Sequence, residues 1–275
     1  MITGLSSDGK TAVGTFGDGV YGYRLFLWQQ QKGIKIIAKT EFDTPSPIIS
    51  GNGTKVFYQS DRLRSSRWSS ECGSEKIEYT NRGTFPGSRI NCTSFTGESW
   101  VGMCLVDPKY QGNDNEFVRT DTACLWRSLS QPFELGRPGS ILATEATGCN
   151  DDGSLIIGNA FKGDRRKDEP FRWSRAKGYI FLDSPLLANV KATHMSNDGK
   201  FIFGTYDLSS GDEAVVVWIG ESFAGTLLEI AHKRGLPKES GWHFNHVVGT
   251  SKDGHSIVGI NYSEKGRLQS WLVDW

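Results

Sequence analysis

The sequence predicts an all-β fold, a six-bladed β-propeller of four-stranded antiparallel blades with one short helix in an insertion. Three observations carry this. A short phrase recurs six times: SSDGKTAVG (6–14), SGNGTKVFY (50–58), SFTGESWVG (94–102), NDDGSLIIG (150–158), SNDGKFIFG (196–204) and SKDGHSIVG (251–259). Its turn glycines Gly9, Gly53, Gly97, Gly153, Gly199 and Gly254 lie 44, 44, 56, 46 and 55 residues apart, close to the period of four-stranded blades. After each phrase comes a tryptophan: Trp28, Trp68, Trp126, Trp173, Trp218 and Trp271.

Each part of the unit has a local reading. Ser or Asn followed by Asp or Asn and then Gly is a turn in which the short polar side chain bonds its own backbone and Gly accepts positive φ. It joins the first strand to the second. The next residues (TAVG, LIIG, FIFG, SIVG) form a short buried strand, and its closing Gly predicts a close backbone approach. A third run ends in Trp (LFLW, ACLW, PFRW, VVVW, LQSW) and supplies the apolar area that packs one sheet on the next. A fourth run (IKIIA, YIFLD) completes the blade. The chain opens with ITGLSSDG and stops at WLVDW, so its ends are expected to be complementary fragments of one blade that close the ring.

Composition bounds the function. Lys+Arg and Asp+Glu both number 31 for a net charge of +0, which offers no electrostatic footprint for nucleic acid or acidic membrane. Apolar runs such as Ala214–Ile219 are a few residues long, too short to span a bilayer. The length of 275 residues suffices for one large core, and residues 1–275 are expected to form a single monomeric domain. Met1 is followed by ITGLSSDGK without a basic start or apolar stretch, so no targeting signal is expected in the chain. A mature chain that has lost its signal begins the same way.

The five cysteines fall between Cys72 and Cys149 with no CxxC spacing, and no metal site is expected. Cys104 stands two residues after Gly102, and Cys124 two before Trp126. If the strands pair so that Gly102 lies near Trp126, the two cysteines are directly opposed and a Cys104–Cys124 disulfide follows. Cys72 and Cys92 bracket another insertion and are expected to pair, leaving Cys149 free. Two disulfides imply an oxidising compartment; the alternative reading of the five cysteines is buried free thiols.

Antiparallel meandering puts the Ser-x-Asp-Gly turns at one end of the blades, and the insertions fall at the other. They are 107–121, with Tyr110, Asn113 and Asp114; 162–170, with Arg165 and Arg166; and 221–244, with Trp242 and His243. These seven residues are the expected ligand-binding set. In the last insertion Thr226 is placed to cap a helix with Glu229 three residues on. His243 and His246, three apart on an extended segment, point to opposite faces and do not make a zinc pair. No GxSxG, HExxH or P-loop occurs, and no catalytic residues or cofactor are expected. The Ser-x-Asp-Gly turns differ from the Asp boxes of sialidases, which place Gly one residue later and follow it with an aromatic.

The repeat resembles that of the bacterial extracellular HAF-repeat family, whose units combine a Ser-x-Asp-Gly turn, a Val-Val-Gly strand and an aliphatic-aromatic-Trp strand. The likeness runs through the chain and is strongest in LLEIAHKRG, SGWHF, GTSKDGHSIVGIN and WLV; SGNG with VFY at 50–58 and SFTGESW at 94–100 depart from it. The resemblance implies a bacterial exported or surface protein and says nothing of chemistry. The function expected is a binding or adhesion module for a protein or glycan; the alternative is a secreted glycan- or polymer-active enzyme with an axial active site.

Overall fold

A computed structural model describes residues 1–17, 22–40, 46–61, 64–77, 87–105, 109–110, 117–118, 121–162, 168–184, 189–208, 213–237, 243–262 and 268–274, with backbone alone at 105, 109, 110, 117, 118 and 262. The chain is a six-bladed β-propeller of antiparallel sheets, five of four strands and one of three among the described residues. Blade one holds β1 (Ile2–Leu5), β2 (Thr11–Gly17), β3 (Tyr23–Gln29) and β4 (Gly33–Thr40). Blade two holds β5 (Ile48–Ile49), β6 (Lys55–Gln59), β7 (Ser65–Ser69) and β8 (Gly73–Lys76). Blade three runs β9 (Gly87–Thr93), β10 (Trp100–Leu105), a separate hairpin of β11 (Lys109–Tyr110) and β12 (Phe117–Val118), then β13 (Thr122–Trp126) and β14 (Phe133–Glu134). Blade four holds β15 (Ala143–Cys149), β16 (Leu155–Phe161), β17 (Asp168–Ser174) and β18 (Gly178–Phe181). Blade five holds β19 (Val190–Met195), β20 (Phe201–Asp207), β21 (Glu213–Ile219) and β22 (Ser222–Thr226); α1 (Leu227–Lys233) leads to blade six, with β23 (His246–Thr250), β24 (Ser256–Tyr262) and β25 (Leu268–Asp274). By its contacts the chain divides into two compact units, Met1–Arg137 with Leu142–Gly153, and Pro138–Ile141 with Ser154–Trp275.

One expectation is corrected. Among the described residues the first and last strands lie in different sheets: β1 pairs with β2 inside blade one, while β23, β24 and β25 pair with one another. The reason is local. Ile2–Leu5 is the near arm of a hairpin whose turn lies at Ser6–Lys10, and its ladder extends to the Thr15 amide, which donates to the Met1 carbonyl at 2.8 Å.

The turn phrase folds by satisfying itself. The Ser6 hydroxyl donates to the Asp8 carboxylate (2.7 Å) and accepts from the Thr11 amide (3.0 Å), while the same carboxylate accepts from the Lys10 amide (3.0 Å). Ser196 with Asp198 and Ser251 with Asp253 repeat the arrangement, and at the second turn Asn52 takes the place of Asp. All six turn glycines have φ between 67° and 76°, as the turn requires. Turns of neighbouring blades are also tied together. The Ser7 amide donates to the Gly51 carbonyl, Asn52 to Phe95, and Asn197 to Lys252, each at 2.8 Å. The recurring phrase is therefore a structural clasp between blades as well as a hairpin turn.

The Trp strand packs as expected. In the first unit Trp68 of blade two is buried with Val13, Leu25 and Leu27 of blade one, and Trp126 of blade three with Phe57 and Ile77 of blade two. In the second unit Trp218 is buried with Ile157 and Leu182 of blade four, and Trp271 with Phe203, Val215 and Val217 of blade five. Each of these four tryptophans reaches back to the preceding sheet.

The glycine closing the second strand answers to a bulge in the first. Thr3, Asn91, Thr193 and Val248 are the residues skipped where the register shifts, an extra residue of the kind that kinks a strand. The displaced carbonyl then occupies the space of a side chain. A Cβ on Gly102 would stand 1.8 Å from the Arg89 oxygen, and one on Gly204 1.9 Å from the Lys191 oxygen. In blade two Tyr58 replaces this glycine, and there the paired part of the first strand is only Ile48–Ile49, without a bulge. Gly204→Ala is expected to destabilise by about 1–3 kcal/mol through overpacking against backbone. Gly9→Ala, with no atom within 4 Å of its Cβ and φ of 70°, is expected to lose only about 1 kcal/mol from the left-handed backbone. Urea midpoints of the two variants check the order; equal losses would refute the close-approach reading.

Candidate functional site

Because strands alternate in direction, the connections from second to third strand and from blade to blade leave at the end opposite the Ser-x-Asp-Gly turns. The turn end is committed to structure. Hydrogen bonds from the Lys10 amide and the Ser6 hydroxyl hold the Asp8 carboxyl below its usual range; the Ser196 hydroxyl and Lys200 amide do so for Asp198, and the Ser251 hydroxyl and His255 amide for Asp253. These carboxylates are ionised acceptors within their own turns.

At the opposite end the most heavily built feature is the insertion of blade three. Residues 107–121 carry the hairpin β11–β12, in which Tyr110 pairs with Phe117. A Cys104–Cys124 disulfide closes the base of the insertion, with Cα atoms 6.0 Å apart and both residues fully buried. The pairing is the expected one; the register is not. Gly102 lies opposite Cys124 and Cys104 opposite Thr122, so the bridge runs diagonally across the ladder. Next to it the Ala123 amide donates to the Thr144 hydroxyl (2.9 Å) and the Thr144 amide to the Asp121 carbonyl (2.9 Å), which ties the exit of the insertion to β15.

The other expected bridge is not made. Cys72 is an exposed free thiol, and Cys92, also free, meets Cys149 instead. Cys72 lies in the tight turn between β7 and β8, where its amide donates to the Ser69 hydroxyl at 3.2 Å, whereas Cys92 lies within β9 facing the next blade.

Of the remaining expected site residues, Asn113, Asp114, Arg165, Arg166 and Trp242 lie outside the described residues, as does the side chain of Tyr110. His243 is exposed, and its carbonyl accepts from the Asn261 amide group at 3.2 Å. Flanking the 163–167 segment, Lys162 pairs with Glu169, and Asp168 with Lys191 at 3.7 Å. The helix forms as the capping pattern requires: the Glu229 amide donates to the Thr226 hydroxyl (3.1 Å) and the Thr226 amide to the Glu229 carboxylate (2.9 Å). Between α1 and β25 lies a largely apolar cavity of about 350 Å³, with Leu227, Ala231, Phe244 and Leu272 in its lining together with the charged Arg234 and Asp274.

His194 is a group that sequence reasoning missed. Burial lowers its pKa to about 4, against the raising effect of a hydrogen bond with the Val248 backbone, so it is a neutral ring set between the first strands of blades five and six. No sequence signal marks it, because its burial depends on the strand of the following blade. Among the described residues no group of three or more His, Cys, Asp or Glu is placed to hold a metal ion.

These features define a β-propeller scaffold whose Ser-x-Asp-Gly turns are structural and whose elaboration lies at the other end of the blades. No family model and no curated protein sequence matches the chain. Solved structures do match in fold. TolB from Acinetobacter baumannii is 16% identical with a TM-score of 0.60, over 96% of this chain and 60% of that one. The β-propeller domain of the Trilobed protease from Pyrococcus furiosus, which has an open velcro topology, is 12% identical with a TM-score of 0.62, over 100% and 81%. The acylaminoacyl peptidase of Pyrococcus horikoshii is 13% identical with a TM-score of 0.63, over 100% and 43%. This chain thus spans less than two thirds of the TolB chain and of the peptidase, and likeness at such identities is one of fold alone.

Proposed function

We propose that the chain is a non-catalytic binding module of an extracytoplasmic bacterial protein, which presents the insertions opposite its Ser-x-Asp-Gly turns to a protein or glycan. The observation that carries this is the buried disulfide at the root of the 107–121 insertion. Fixing both ends of a long loop reduces the ordering cost of binding through it, and such a bond is maintained in an oxidising compartment. The resemblance to the HAF repeats points the same way on location. No helix of the described residues is long and apolar enough to cross a membrane, and the propeller itself supplies a rigid base for variable loops.

The test is a glycan array and a panel of extracellular bacterial proteins probed with the wild type and with a variant in which 107–120 are replaced by a short Gly-Ser turn. Binding by the wild type that the variant loses, with an unchanged melting temperature, is the expected result. Binding that survives the replacement would remove the insertion from the site, and turnover of any arrayed glycan would favour the enzyme.

A further inference from the structure

We propose that Cys92 and Cys149 are an oxidisable pair that forms a second disulfide, cross-linking β9 of blade three to β15 of blade four, with a protein or glutathione disulfide as oxidant. The two thiols are in hydrogen-bond contact. Both residues are partly accessible, although their thiols are turned inward. Their strands are held against each other by Asn91, the bulge residue next to Cys92, whose amide group donates to the Glu145 carboxylate (2.8 Å) and the Ala146 carbonyl (2.9 Å). Just beyond the cysteines the Phe95 amide donates to the Asp151 carboxylate at 3.2 Å. The pair is thus flanked on both sides by hydrogen bonds between the two segments.

The surroundings give the two thiols different roles. The Cys149 thiol and backbone amide donate to Cys92 and bring its pKa down to about 7, whereas donation to Cys92, burial and the nearby charges of Asp151 and Asp152 push Cys149 up. Cys92 is therefore the more readily ionised of the two thiols and the attacking sulfur. It displaces one thiolate from the oxidant and forms a mixed disulfide. Cys149 gives up its proton, attacks the Cys92 sulfur and expels the second thiolate. Two thiols are oxidised, the oxidant disulfide is reduced to two thiols, and the two protons end on the released sulfurs.

The oxidation is tested on the whole chain carrying Cys72→Ser, which removes the exposed thiol and leaves two. Incubation with excess glutathione disulfide, alkylation and non-reducing peptide mapping are expected to give a Cys92–Cys149 linked peptide, no remaining thiol and no retained glutathione. In Cys72→Ser/Cys149→Ser, which lacks the resolving sulfur, one glutathione per chain is expected on Cys92. Two thiols that persist, glutathione held on both cysteines of the first variant, or a disulfide between chains would each overturn the proposal. The outcome does not depend on what the insertions bind.

Discussion

Trp218→Ala is expected to lower the free energy of unfolding by about 3–5 kcal/mol, the range for truncating a buried large aromatic. Trp218 is fully buried among Ile157, Leu182, Val190, Ala192, Ile202 and Val216. It joins blade five to blade four, and Phe223 meets it edge-on with ring centroids 6.3 Å apart. Its indole Nε1 donates to the Asp183 carbonyl at 2.7 Å, so the truncation opens a cavity between two sheets and also strips an acceptor of its partner. Gly204 cannot yield to refill it, because its Cβ position is already taken by the Lys191 oxygen. Far-UV circular dichroism in urea measures the loss without relying on tryptophan emission. Trp218→Phe keeps most of the apolar area and should recover more than half of the deficit. A loss below about 1 kcal/mol for the alanine variant would contradict the role of the tryptophan as the joint between blades.

The blade unit was legible in the sequence because its parts answer to local chemistry. A turn that hydrogen-bonds itself, a glycine at positive φ and a tryptophan at the end of an apolar run each need only a few neighbouring residues, and the capping of α1 by Thr226 and Glu229 is of the same kind. What the sequence hid depends on pairing between strands. Gly14, Gly102, Gly204 and Gly259 recur visibly, but their cause, a carbonyl displaced by a bulge in the first strand, appears only once the register is known. The same holds for the cysteines. Cys104 and Cys124 share adjacent strands of one blade and were found, although the ladder is offset by two residues from the one expected. Cys92 and Cys149 meet across two blades, where sequence spacing carries no information, and Cys72 was paired with Cys92 only because both flank an insertion. The chain ends illustrate the limit again: complementary fragments in sequence each found a place in a different sheet. For the candidate site, the sequence located the end of the blades that is elaborated, because insertions show as length between the repeats, while the tips of those insertions lie outside the described residues.

Removing the Cys104–Cys124 bridge is expected to cost about 3 kcal/mol, the chain-entropy value for a loop of this length, given a sequence separation of 20. The clean variant is Cys104→Ala/Cys124→Ala, since both positions sit in an apolar cluster with Phe57, Ile77, Trp100 and Trp126 and serine would bury hydroxyls there. Because both cysteines are fully buried, a mild reductant should leave the bond intact in native buffer and cut it near the urea midpoint, where the blade opens. Following alkylation of the released thiols against urea concentration distinguishes this from a surface bond, which would be reduced equally fast at every concentration. The same variant separates stability from function. If the bridge serves binding by fixing the root of the 107–121 insertion, affinity for any partner found should fall at temperatures where the variant is still folded. If affinity stays at the wild-type level there, the disulfide serves the blade alone and the insertion is not the presented surface.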